Sequence, residues 1–348
     1  MTKSLEVAPS ALKLRWLVGG LVAVAVALVL GLAIGPVSIP VGGVASELFS
    51  RVPILGGRSS LSPQQAVIIT ELRLPRVVLA LLVGALLASA GACYQGVFRN
   101  PLVDPYLLGA AAGAGLAVTI VVAVLGGSSR GSLLPFAAFA GAIVAVALSW
   151  SIGRESGRRA TAILLLAGIA VTSFLTAIQT YLQQKNSESI RQIYSWILGR
   201  LSTAGWSEVF LVLPYFIVTT IVLLLYRRVF DVMAVGDDEA SGLGIPVART
   251  RLILVATATM ATAAAVSVSG LIGFVGIIVP HFVRLATGAS YRIIIPLSIL
   301  YGAAFLTFAD MAARTVTAPA EIPIGVVTAF IGAPFFIFVM RRSSEARS

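Results

Sequence analysis

Charge is the scarcest thing in this chain. Asp, Glu, Lys and Arg together make up 11% of its 348 residues, against about a quarter in an ordinary soluble domain. With 58% hydrophobic residues and a mean hydropathy of +0.99, the chain reads as an integral membrane protein with no sizeable soluble domain. Lysine is rarer still, at Lys3, Lys13 and Lys185 only. None carries the upstream glycine of a GxxxxGK[ST] phosphate loop, so ATP has no such loop to sit in here. A lone histidine, His281, excludes an HExxH zinc site. A lone cysteine, Cys93, excludes a disulfide or cysteine metal cluster within one chain, and inside an apolar run it reads as a small core residue. No paired carboxylates or nucleophile–base set argues for an enzyme. The net charge of +11 does not imply nucleic acid, because the arginines sit in short loops between apolar runs, as membrane topology demands.

The organising stretch is RLPRVVLALLVGALLASAGACYQGVFRNPLVDPYLLG, Arg73 to Gly109. From Val77 to Phe98 it holds no charged side chain, and as a helix that run is roughly 33 Å long, enough to cross a hydrocarbon core of about 30 Å. Gly84, Ala88, Ala92 and Gly96 recur every fourth position, a small-residue face that lets neighbouring helices approach closely in lipid. Beyond it, Arg99 and Asn100 lead into Pro101, Asp104 and Pro105, a polar, helix-breaking segment. Hydropathy places about ten spans, near 16–35, 75–98, 106–125, 133–152, 161–182, 209–226, 252–269, 271–286, 293–310 and 321–340. The first is longer than a signal-peptide core and reads as a retained span after a cytoplasmic segment, 1–15. With both termini inside, 16 of the 25 basic residues fall on the inner side, as the positive-inside rule requires. The tail 341–348 is then cytoplasmic, and 1–348 is a single transmembrane domain.

Two outer segments are long. Residues 36–72 are rich in Gly, Pro and Ser and read as a loop. Residues 183–207 carry an amphipathic helical patch, Ile190, Ile193, Tyr194 and Ile197, suited to lying on the membrane surface. An inner segment, GDDEASGLGIPVARTR at 236–251, places Asp237, Asp238 and Glu239 at the positive end of a helix dipole. Gly244 can end that helix and Pro246 begin another, which predicts two short helices on the cytoplasmic face; a solvated linker is the plainer alternative. The Ala, Ser and Thr of the span 252–269 suggest the wall of a wide pathway that passes cargo without holding it.

These blocks, with LLLAGIAV at 164–171, SGLIGFVGIIVPHFVRLATG at 269–288 and FADMAARTVTAPAEIPIGVVTAFIGAPFF at 308–336, resemble the permease subunit of type II ABC importers. That family imports iron–siderophore complexes, haem and vitamin B12. The resemblance covers nearly the whole chain from about residue 70. It implies an all-α permease fold of ten transmembrane helices in the cell membrane, assembled as a homodimer with two ABC ATPase subunits and one extracytoplasmic substrate-binding protein. ATP and magnesium then belong to the ATPase, and this chain carries no cofactor. It implies that Arg73, Arg76 and Arg314 at the outer mouth pair with carboxylates of the binding protein, a task suited to the guanidinium fork, although arginines near span ends often only snorkel. It places an inner gate at Asn100, Leu102 and Thr161. Ala162 departs there from the serine of the vitamin B12 version, and the small residues 160–162 suit close approach of two subunits. The acidic segment resembles the coupling helices that fit the ATPase, with Asp237, Glu239, Ser241, Leu243 and Gly244 as the contact residues.

Within that block His281 reads as a cap at the cytoplasmic end of its span, with a haem-ligand role the rival. Asp104 and Asp310 read as makers of structural hydrogen bonds rather than proton relays. The competing functions are an ion- or proton-coupled secondary transporter, which needs no partner chains, and an intramembrane enzyme.

Overall fold

The computed structural model describes residues 12–50, 59–124, 133–153, 160–202 and 205–345, and every regular element among them is helical. In chain order these are α1 (Leu14–Ala33), α2 (Val41–Ser50), α3 (Pro63–Val67), α4 (Leu74–Val97), α5 (Ala110–Val124), α6 (Leu134–Gly153) and α7 (Ala160–Lys185). There follow α8 (Ile190–Ile197), α9 (Trp206–Met233), α10 (Asp237–Gly242), α11 (Val247–Ser269), α12 (Val275–Thr287), α13 (Tyr291–Thr315) and α14 (Ile324–Glu345). Seven helices are long and apolar enough to cross a membrane, and α5, α12 and the described part of α14 are shorter apolar helices. Together they match the ten expected spans, with α12 the short one in the region 252–286.

The bundle is built around α4. Every residue from Leu82 to Val97 is buried, and α13, α11, α9 and α12 all pack against it. The small-residue face works as expected. A Cβ on Gly84 would lie 2.2 Å from the Gly302 carbonyl oxygen of α13, so the two backbones touch without side chains between them. A second crossing, absent from the four-residue repeat, occurs at Gly91, whose Cβ would lie 1.9 Å from the Gly276 carbonyl oxygen of α12. Gly276 itself sits against Leu87 and Pro105. Thus α12 begins about halfway along α4, and the segment after α4 turns back into the bundle to meet it. Irregular backbone at that depth is tolerated only where it is covered by protein or lines a cavity. Tyr106 supplies part of the cover: its hydroxyl donates to the Ile272 carbonyl at 3.0 Å and accepts from the Ile272 amide at 3.1 Å.

Three sequence expectations change. The outer segment 36–72 is not simply a loop. It contains α2 and α3, and α3 starts in a capping box between Ser62 and Gln65 before passing through a π turn, Ile68–Arg73, into α4. The amphipathic patch of α8 is split: Ile193 is buried against protein, Ile190 and Ile197 are half-buried and Tyr194 is exposed. Its C-terminal end is stitched down by Arg200 N–H to Ser269 O and Gly325 N–H to Leu198 O. Finally, the small residues of α11 do not line a pathway. Thr257, Thr259 and Thr262 are buried and donate to carbonyls of their own helix, at Ile253, Val255 and Ala258. Small volume serves close packing there, and back-bonding satisfies hydroxyls that water cannot reach.

Candidate functional site

At the end of the bundle where α1 finishes and α4 begins, the three arginines singled out in the sequence lie together. Arg73 is buried and donates to the last carbonyls of α1, Leu32 at 2.7 Å and Ala33 at 3.1 Å, and to Val37 O. Arg314, 2% exposed, donates to Gly31 O and lies 3.6 Å from Asp310. Two cations thus close the C-terminus of α1, where unsatisfied carbonyls and the helix dipole favour them. Arg76 is paired as well. It grips Asp310 through Nε and Nη2 at 2.8–3.1 Å and Glu321 through Nη1 and Nη2 at 2.8 and 3.0 Å. Asp310 is therefore a structural partner, 1% exposed between two guanidinium groups. Asp104 likewise accepts a structural bond, from the Tyr106 amide at 2.7 Å. Arg76, Asp310 and Glu321 line a cavity of about 390 Å³ with Arg191, Arg200, Tyr194 and Ser202. The side chains of Arg191 and Arg200 have no protein partner among the described residues.

Further in, an open apolar cavity of about 590 Å³ lies between the irregular backbone at 271–274 and α14, walled by Leu271, Phe274, Phe330 and Pro334. Alongside the long helices, α7 exposes Ser173, Thr176, Thr180 and Gln184, three or four residues apart and so on one stripe. Hydroxyl and amide groups on an outward helix face suit cover by another helix or by water better than lipid, although the Thr180 hydroxyl is satisfied within the helix, by Thr176 O. His281, expected to cap its span, lies inside α12, half a helix from its end. It is buried edge-on to Phe335 at 6.0 Å, and neither ring nitrogen has a hydrogen-bond partner, so it caps nothing here. Cys93 is buried, its thiol directed at Leu254 O. No group of three His, Cys, Asp or Glu among the described residues could hold a metal ion.

At the opposite end of the bundle, Asn100 and Leu102 are exposed, and the Asn100 side chain accepts the Leu102 amide at 3.0 Å. Thr161 falls in the first turn of α7, with its side chain outside the described residues. The acidic segment forms one short helix, α10, rather than two. After the turn at Gly244 (φ +83°) the chain enters α11 directly at Val247, because nothing breaks the helix between Pro246 and the apolar span. Glu239, Ser241, Leu243 and Gly244 are exposed. Asp237 is bound by Arg99 from the end of α4 and by Arg251 of α11, the latter at 2.8 and 3.1 Å. Burial opposes ionisation of Asp237, but Arg251 and Arg99 outweigh it and hold the carboxylate below its ordinary range. Sequence reasoning missed Arg99 and Arg251 as partners. The only hint was Arg99's place directly after a span.

The family model of the FecCD transport family matches residues 23–342. The chain belongs to that family. Among curated relatives, the cobalamin import system permease protein BtuC of Halobacterium salinarum is 40% identical over 329 residues, covering 89% of this chain and 87% of its own. The iron(3+)-hydroxamate import system permease protein FhuB of Bacillus subtilis is 41% identical over 276 residues, covering 79% and 71%. Among solved structures, a metal-chelate type ABC transporter in an inward-facing conformation superposes with a TM-score of 0.82 at 29% identity, covering 94% of this chain and 99% of that one. This FecCD chain is therefore a multi-pass permease subunit of a type II ABC importer, with the all-α fold of that class.

Proposed function

We propose that this permease imports a bulky metal chelate, an iron–siderophore complex first, with vitamin B12 and haem as the other candidates. It works as a homodimer with two ABC ATPase subunits, which bind the ATP and magnesium, and one extracytoplasmic binding protein. Both termini are cytoplasmic. The observation that carries this reading is the exposed polar stripe of α7, Ser173 to Gln184, which suits a face covered by a second copy or by a polar passage. A second copy facing α7 and α14 would enclose that passage and cover Phe330, 77% exposed in the single chain.

At the outer end, carboxylates of the binding protein approach the cluster of Arg73, Arg76 and Arg314. Arg76 is the member that borders the cavity; Arg73 and Arg314 stand behind it and raise the local positive potential. At the inner end, α10 docks on the ATPase through Asp237, Glu239, Ser241, Leu243 and Gly244. Val235 and Leu243, each 73% exposed, supply apolar contact at that surface. The gate is the segment of Asn100 and Leu102 facing the start of α7 at Thr161. The two relatives' names point to cobalamin and to an iron(3+)-hydroxamate complex at nearly equal identity, so the shared core does not choose the cargo.

Reconstitution in vesicles tests the reading. Uptake of a ferric hydroxamate, cyanocobalamin or haem is expected only with ATPase and binding protein present, and vanadate should stop it. Full-rate uptake by the permease alone under an ion gradient would return the secondary transporter to first place. Mass spectrometry of the ligand held by the purified binding protein decides among the chelates.

A further inference from the structure

Arg99 joins the end of α4 to two elements that lie 134 and 138 residues further along the chain. It follows the last turn of α4 and stands at φ +50°, a left-handed conformation uncommon for a residue with a side chain. Its Nε donates to the carbonyl of Met233, the last residue of α9, at 2.8 Å. Its Nη2 donates to the carboxylate of Asp237, the first residue of α10. One guanidinium thus straddles the short link between α9 and α10. The next residue in the chain is Asn100, whose side chain holds the Leu102 amide. From the far side, Arg251 grips the same Asp237 carboxylate, tying α11 into the arrangement.

The geometry points to Arg99 as the positioning residue that carries a displacement of α10 to the segment Asn100–Leu102. The assignment rests on the importer reading above, in which α10 meets the ATPase and this segment is the gate. Arg99 is the one cation between Phe98 and Gly109, so charge ties this segment to α10 at a single point. Both members of the pair are partly exposed, 38% and 42%. Ion pairs of that kind contribute little to stability, so stability is a poor reason for the arrangement. A contact that is weak and specific in direction suits a joint that shifts and re-forms in each cycle. The two bonds on one planar fork, to Met233 O and to Asp237, fix its direction, which a lysine could not reproduce in full.

The test uses the full permease with its ATPase and binding protein in vesicles. Leu102, 40% exposed, is replaced by Leu102→Cys as a reporter; the native Cys93 is fully buried and stays silent. The rate of labelling by a membrane-impermeant maleimide is compared without nucleotide and after trapping with ATP and vanadate. The reporter chain should label at clearly different rates in the two states. Adding Arg99→Ala should shrink that difference by about fivefold, the factor available from a partly exposed ion pair, while ATP hydrolysis continues. Arg99→Lys should recover part of it. Arg99→Gln, which keeps the size of the side chain and a donor for Met233, should behave as Ala does and guards against misfolding. If Arg99→Ala and Arg99→Gln respond to nucleotide as fully as the reporter chain, Arg99 is not the link. If the reporter chain itself ignores nucleotide and no chelate enters, the importer reading falls, and the role of Arg99 with it.

Discussion

Replacing Gly91 by alanine adds one methyl group at the tightest crossing in the bundle. The new Cβ would stand 1.9 Å from the Gly276 carbonyl oxygen and 2.5 Å from its carbonyl carbon and Cα, whereas ordinary contact begins at 3.4 Å. The helices α4 and α12 must therefore part by roughly 1.5 Å, since backbone cannot swing aside as a flexible side chain would. Parting them stretches the Gln95 amide bond to Gly276 O, now 3.1 Å, and loosens the seat of Pro105 on Gly276. Overpacking typically costs about 1–3 kcal/mol, and with rigid partners on both sides we expect about 3. For a chain of this size that lowers the melting temperature by about 4 °C. Tryptophan fluorescence of the purified permease in detergent measures it, with Gly42→Ala as control, because a Cβ at Gly42 meets nothing within 4 Å. If Gly91→Ala melts together with Gly42→Ala, the backbone contact between α4 and α12 is not as described, and the placement of the segment after α4 against them loses its basis.

Other outcomes follow from the two ends. Asp310→Asn removes the negative charge between Arg76 and Arg314, both largely buried. Unpairing buried charge costs about 3–5 kcal/mol, so the yield of monodisperse permease extracted from membranes should fall sharply. Gly244→Val forces a β-branched residue to φ +83°, a strain of about 1–3 kcal/mol placed in the turn after α10. It is expected to uncouple ATP hydrolysis from uptake while binding-protein docking, read by co-purification, stays intact. Asp237 carries a lowered pKa, so its contribution to stability is present above the unfolded value near pH 4 and is lost as pH falls through the folded value. The melting difference between the parent and Asp237→Asn, small because the carboxylate is 42% exposed, should then hold steady from pH 7 to about 5 and vanish in stronger acid.

Hydropathy, the placement of arginines and the recurring small residues were enough for the sequence alone to determine a polytopic bundle of ten helices centred on 75–98. These are properties of single segments against a uniform solvent, and lipid imposes them without reference to neighbours. The blocks at the outer mouth, after α4 and at 236–251 were legible too, because they interrupt apolar runs with Pro, Gly and charge. Partnership was decided by the tertiary structure. Arg73 and Arg314 hold carbonyls of α1 that lie 40 and 283 positions away, and no side-chain pattern marks a backbone acceptor. The threonines of α11 and the serine and threonines of α7 are alike as residues. Packing against α4 buries the first set, while the single bundle leaves the second uncovered. Which hydroxyls meet water depends on where the other helices stand, and that is settled only when the bundle closes.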